Sequence, residues 1–131
     1  MKKTLIILFT FTLITITAHS QNEWRDANDF NLANPSSVSF GQINDSTKVL
    51  RVGVALTLKG RQTLKSKGGI ISCTVNTFFV GANNHLKTTS QRISLVQGNS
   101  NVATFEIISE ESFKALKEMF LRKEDFIVIC H

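Results

Sequence analysis

Residues 49–59 alternate without a break: Leu50, Val52, Val54, Leu56 and Leu58 fall on one face, and Arg51, Gly53, Ala55, Thr57 and Lys59 on the other. Successive side chains of a strand point to opposite faces of its sheet, so this period of two specifies a strand with one buried side and one wet side. Antiparallel sheets tolerate that asymmetry, whereas parallel strands covered on both faces read as continuous apolar runs. The pattern therefore commits the chain to an antiparallel, β-rich fold. A polar and basic connection over residues 60–67 closes on Gly68-Gly69, and residues 70–80 read as a second long strand. Residues 49–80 are expected to form a hairpin.

Turn-rich Gly81-Ala82-Asn83-Asn84 leads to a weaker strand over residues 86–96, carried by Ile93 and Leu95. Gln97-Gly98-Asn99-Ser100-Asn101 is the next turn, and residues 102–108 give a strand with Ala103, Phe105 and Ile107 on one side. Successive strands with short turns describe a meander. Ser109 then changes the period: Phe113, Leu116 and Phe120 recur at helical spacing, Glu110 and Glu111 open the segment, and Arg122 and Lys123 close it. A Ser cap, acids first and bases last complement the helix dipole, so residues 109–123 are expected to be an amphipathic helix. Phe126-Ile127-Val128-Ile129-Cys130 is apolar on both faces and predicts a terminal strand in the interior of a sheet. Phe78 and Phe79, being adjacent, make the same demand for cover on both faces, by the helix, a second sheet or a partner.

Ahead of the long strand, residues 38–42 read as an edge strand entering it through Asn44-Asp45-Ser46. Pro35 excludes a helix across that point. The fold class is thus mainly β (α+β): an antiparallel sheet or sandwich with one C-terminal amphipathic helix and a buried terminal strand.

The first residues address the chain rather than shape it. Lys2 and Lys3 precede a charge-free stretch rich in Leu, Ile, Phe and Thr, and Ala18 and Ser20 supply the small residues that a signal peptidase reads. Residues 1–20 are therefore expected to be a cleaved secretory signal peptide, with residues 21–131 forming a single β-rich domain. An uncleaved anchor fits less well, because a span needs about 20 predominantly apolar residues and this run is interrupted by Thr10, Thr12, Thr15 and Thr17. The lysine start and Thr/Ile/Phe-rich core resemble the export signals of Gram-negative bacteria, which implies a periplasmic or secreted protein with no membrane span in the mature chain. The first cysteine is Cys73, so lipid attachment at the mature N-terminus is not expected.

The net charge of +5 falls by two when Lys2 and Lys3 leave with the signal, so the mature domain is only mildly basic. Cys73 shares a face with Ile71 and Val75, and Cys130 with Phe126 and Val128. In an oxidising compartment the two are candidates for one disulfide; two separate buried thiols are the alternative. Without a Cys-x-x-Cys pair, redox catalysis is not expected.

Sites for chemistry are scarce. His19 departs with the signal, and His85 and His131 belong to no ligand set of the kind zinc needs. No nucleophile elbow, phosphate loop or calcium loop occurs, so no catalytic residue, metal or cofactor is assigned. The acidic pairs Glu110-Glu111 and Glu124-Asp125 are explained by capping and solvation. What stands out is basic: Lys59, Arg61, Lys65 and Lys67 gather in one connection, and no acidic residue lies between Asp45 and Glu106. Such a lobe suits an acidic protein partner or an anionic envelope component. Nucleic acid is disfavoured, since no aromatic residue lies within residues 59–67 to stack on bases. The absence of Tyr disfavours a carbohydrate platform. The expected function is an exported, non-enzymatic binding or interaction module contacting its partner through residues 59–67 and the turn at residues 81–87. A subunit of a larger envelope assembly and a small secreted enzyme with an unrecognised site are the alternatives.

Overall fold

In the computed structural model, which describes residues 31–98 and 101–131, the alternating segment is the central strand of a three-stranded sheet. The strands are β1 (Ala33–Gln42), β2 (Lys48–Leu56), β3 (Ile71–Thr77), β4 (Ser90–Leu95), β5 (Asn101–Glu106) and β6 (Phe126–Cys130). The helices are α1 (Leu58–Ser66), α2 (Ala82–His85) and α3 (Glu110–Glu118). Two antiparallel sheets form, ordered β1-β2-β5 and β4-β3-β6. β4 runs beside β5, and β6 beside β1, without a hydrogen-bonded ladder. The six strands thus wrap one core as a sandwich open along two seams.

Alternation decides what fills that core. Leu50 and Val52 of β2, Cys73 and Val75 of β3, Leu95 of β4 and Ala103 and Phe105 of β5 are all fully buried. The rings of Phe79 and Phe105 meet Phe126 of β6 at centroid distances of 5.8 and 6.1 Å. Each helix closes one end. α1 follows the Leu56 end of β2 and inserts Leu64, while α3 lies at the Lys48 end and inserts Leu116, with Phe113 edge-on to Phe40 at 5.3 Å. The antiparallel sheets, the C-terminal helix and the terminal strand expected from sequence are all present.

Cys73 and Cys130 form a disulfide across β3 and β6, their Cα atoms 3.9 Å apart. The His131 amide donates to the Ser72 carbonyl at 2.9 Å and the Phe78 amide to the Asp125 carbonyl at 3.1 Å. The cysteines therefore occupy a non-hydrogen-bonded pair, where facing residues of an antiparallel ladder approach most closely. Of the two states left open by the sequence, the bridged one is observed.

Several expectations are corrected. Residues 49–80 are not a hairpin, because β2 and β3 belong to different sheets and α1 connects them. The alternation overruns the strand: Leu58, next in the apolar series, is 69% exposed at the start of α1. The meander is also broken, since β4 pairs with β3 and β5 with β2. Helix α3 ends at Glu118 rather than reaching residue 123, because Phe120 adopts φ 50° and leaves the helical path. β6 lies at a sheet edge rather than in the interior: Phe126 and Val128 are buried, but Ile127 and Ile129 are about half exposed. Only one face of that strand is covered.

The β1–β2 turn is held by Asn44, whose Oδ1 accepts from the Ser46 and Thr47 amides at 3.0 and 2.9 Å. Pro35 sits at an irregularity of the edge strand, where a missing amide donor is tolerated. The expected export signal at residues 1–20 lies outside the described residues. Among the described residues no helix is long and apolar enough to cross a membrane.

Candidate functional site

The four basic residues singled out in the sequence lie on or beside α1, so the local question is why this segment turns helical. Thr57 is the N-cap: its Oγ1 accepts the Gly60 amide at 3.0 Å and donates to the Asn31 carbonyl at 2.5 Å. At the other end Gly68 takes φ 75° and the Gly69 amide donates to the Leu64 carbonyl at 2.8 Å, the six-to-one bond of a Schellman cap. The two glycines terminate a helix; they do not turn a hairpin. Gly60 and Leu64, one turn apart, form the buried face. Gly60 meets the Leu32 backbone, so the helix is pressed against the entry to β1.

The charges on α1 work against the helix that carries them. Its first turn has no acidic residue and holds Lys59 and Arg61 at the positive end of the dipole. Arg61 and Lys65 are four residues apart on one flank, where like charges cost about 0.2–0.5 kcal/mol. Neither makes an ion pair among the described residues. Lys59 stands on a different flank, and Lys67 turns back to the terminal strand, donating to the His131 carbonyl at 3.2 Å. The structure thus brings Arg61 and Lys65 together and directs Lys59 and Lys67 elsewhere.

The opposite end of the core obeys the usual rules. Helix α3 opens on Glu110 and Glu111, and Lys117 lies in its last turn. Lys48 Nζ is 2.5 Å from Glu110 Oε1 and 4.0 Å from the centroid of the Phe113 ring. That hydrogen bond, helped by the charges of Lys48, Lys114 and Lys117, holds the Glu110 carboxyl below its ordinary range. Lys87 pairs with Glu106 at 3.1 Å. Every described acidic residue belongs to this end: Asp45 in the β1–β2 turn, Glu106 closing β5, three glutamates on α3, and Glu124 and Asp125 before β6. The α1 end carries four cations and, among the described residues, no acid.

Arg61 also lines a groove of about 630 Å³ on the outer face of the first sheet. Its floor is the row Ser37, Gly53 and Val102, which are directly paired across β1, β2 and β5, together with Ala55. The floor is lowest at Gly53, where a Cβ would collide with the Ser37 hydroxyl. The far wall is the β4–β5 turn at Gln97 and Gly98. Asn101 pins that turn, accepting from the Val96 amide and donating to its carbonyl, each at 3.3 Å. Sequence reading missed the groove, since its residues meet only through cross-strand register; the glycine on the wet face of β2 was its sole trace.

Residues 81–87, the second contact expected from sequence, do not join α1. They follow the Thr77 end of β3, whereas α1 precedes its Ile71 end, and seven strand residues separate the two by about 23 Å. A smaller hollow of about 440 Å³ at that end is lined by Phe78, Val80 and Thr89 among others. His85, outside that lining, has its Nδ1 buried without a hydrogen-bond partner, and His131 Nε2 lies 3.5 Å from Thr74 Oγ1. Among the described residues no three His, Cys, Asp or Glu side chains gather as a metal site would require. No protein-family model, no curated protein and no solved structure matches this chain.

Proposed function

We propose that this protein is an exported, non-enzymatic binding module of the bacterial envelope that takes an anionic partner at its α1 end. One observation carries this reading: the described acidic residues collect at the α3 end, leaving Arg61 and Lys65 at the other end with no carboxylate near them among the described residues. Helix α1 sets the like charges of Arg61 and Lys65 along one flank. A local rule broken without a compensating contact marks a place where function outweighs stability. The cystine and the signal-like residues 1–20 support export.

The test is capture from the native envelope fraction by the protein purified from its exporting cell, compared with the double variant Arg61→Glu, Lys65→Glu. Recovery of a partner by the wild type that the variant loses supports the reading. Equal recovery by both proteins contradicts it.

A second reading, as a subunit of a larger envelope assembly, rests on a different surface. Ile127 and Ile129 lie exposed on the outer face of the second sheet at its β6 edge, and Phe78 is exposed just past the end of β3. Apolar area grouped on a sheet face is the mark of an interaction site. Gel filtration of the exported protein distinguishes the readings: a complex of defined size supports assembly, and a monomer counts against it.

A further inference from the structure

We infer that the groove beside α1 receives an extended acidic peptide whose alternate residues carry carboxylates facing Arg61 and Lys65. The inference rests on the α1 end being the contact surface and adds the chemical class of the partner. Three features of the groove and its rim converge on it.

The first is spacing. Arg61 lines the groove and Lys65 follows one turn later on the same flank; four helical residues rise about 6 Å, so the two cations stand about that far apart. Residues i and i+2 of an extended peptide lie on one face about 6.7 Å apart. A strand bearing acids at alternate positions therefore sets one carboxylate opposite each cation. Consecutive acids would turn every second one away.

The second is room. The groove of about 630 Å³ falls within the range of built ligand sites. It owes its depth to Gly53, which has no side chain of its own and is flanked by the Ser36 and Ser37 hydroxyls, and to the single methyl of Ala55, so a backbone can lie close to the sheet. The third is the polar lining. Ser36, Ser37 and Gln97 offer hydroxyl and amide groups to a peptide backbone, and no aromatic side chain lines the groove to stack on a base or a sugar ring.

The experiment measures fluorescence anisotropy of two labelled peptides of equal composition, the alternating Ala-Ala-Glu-Ala-Glu-Ala-Ala and the consecutive Ala-Ala-Glu-Glu-Ala-Ala-Ala, whose two acids face opposite ways when extended, against the exported protein at low salt. The alternating peptide is expected to bind at least threefold more tightly, roughly the value of one exposed ion pair. Ala55→Ile and Gly53→Val fill the groove without changing charge, and each is expected to weaken the alternating peptide about tenfold or more. Ala55 is solvent-exposed, so its variant retains the fold even where the buried-strand change at Gly53 does not. Arg61→Gln and Lys65→Gln are each expected to weaken it about threefold. Equal binding of the two peptides, or binding untouched by Ala55→Ile, overturns the groove as the site and leaves only diffuse attraction to α1. Binding of neither peptide, while vesicles rich in phosphatidylglycerol bind the wild type and not Arg61→Glu, Lys65→Glu, overturns the peptide class but preserves the anionic surface. Binding of neither peptides nor vesicles overturns both.

Discussion

Gly60 of α1 packs against the carbonyl oxygen of Leu32, which also accepts the Thr57 amide at 3.0 Å. This contact fixes where the basic helix sits on the strand core. Gly to Ala in a helix ordinarily gains about 1 kcal/mol, but here the obstructing atoms belong to backbone and cannot rotate aside. Overpacking of that kind costs about 1–3 kcal/mol. Gly60→Ala is therefore expected to destabilise the protein, read as a lower urea midpoint, and a raised midpoint would show that α1 is not held at this point.

The Thr57 hydroxyl makes two contacts that a side chain without an oxygen cannot replace, one capping α1 and one reaching Asn31. Thr57→Ala is expected to lower stability by about 1 kcal/mol. Thr57→Ser keeps the oxygen and is expected to restore most of the loss in the same denaturation measurement.

The cystine closes a loop spanning 57 positions and ties the edge strand β6 to β3. In the chain-entropy account such a loop is worth about 4 kcal/mol. Intact mass after alkylation should show no label on the native protein and two labels after reduction under denaturing conditions. Cys73→Ala with Cys130→Ala should lower the unfolding free energy by about 2–4 kcal/mol; unchanged stability would mean that the ladder alone holds β6.

Glu110 gives the fold a pH dependence of known sign. Its pKa is lowered in the folded state from the ordinary 4.5, chiefly by the hydrogen bond from Lys48. A depressed folded pKa contributes stability that is complete above the unfolded value and disappears as pH falls through the folded one. The difference in melting temperature between wild type and Glu110→Gln should thus be present near neutrality and shrink below pH 4.5. Growth of that difference in acid would reverse the assignment.

Period-two patterns placed β2, β3 and β5 and their inward residues correctly, because alternation and burial are one physical fact along a half-buried strand. Helix α3 was legible for the same reason at helical period, with its Ser109 cap. Helix α1 was not, since its single large buried residue, Leu64, produces no periodic signal and the alternation of β2 runs on through Leu58. Its caps were visible in the sequence, Thr57 before and Gly68-Gly69 after, but the glycine pair served equally as a hairpin turn. Strand pairing depended on long-range packing, so the split into two sheets had no local mark. The four cations were legible as a group; that only Arg61 and Lys65 share a flank, with Arg61 lining a groove, required the helix and the cross-strand register.

The position of charge, not its total, is the center of this account. It is tested most directly by envelope-partner binding at two salt concentrations for two double variants with equal charge change: Arg61→Glu with Lys65→Glu at the α1 end, and Lys114→Glu with Lys123→Glu at the α3 end. The α1-end reversal is expected to abolish a salt-sensitive interaction that the α3-end reversal leaves within about twofold of wild type. Equal losses from both variants, or none from either, would contradict the assignment of α1 as the binding surface.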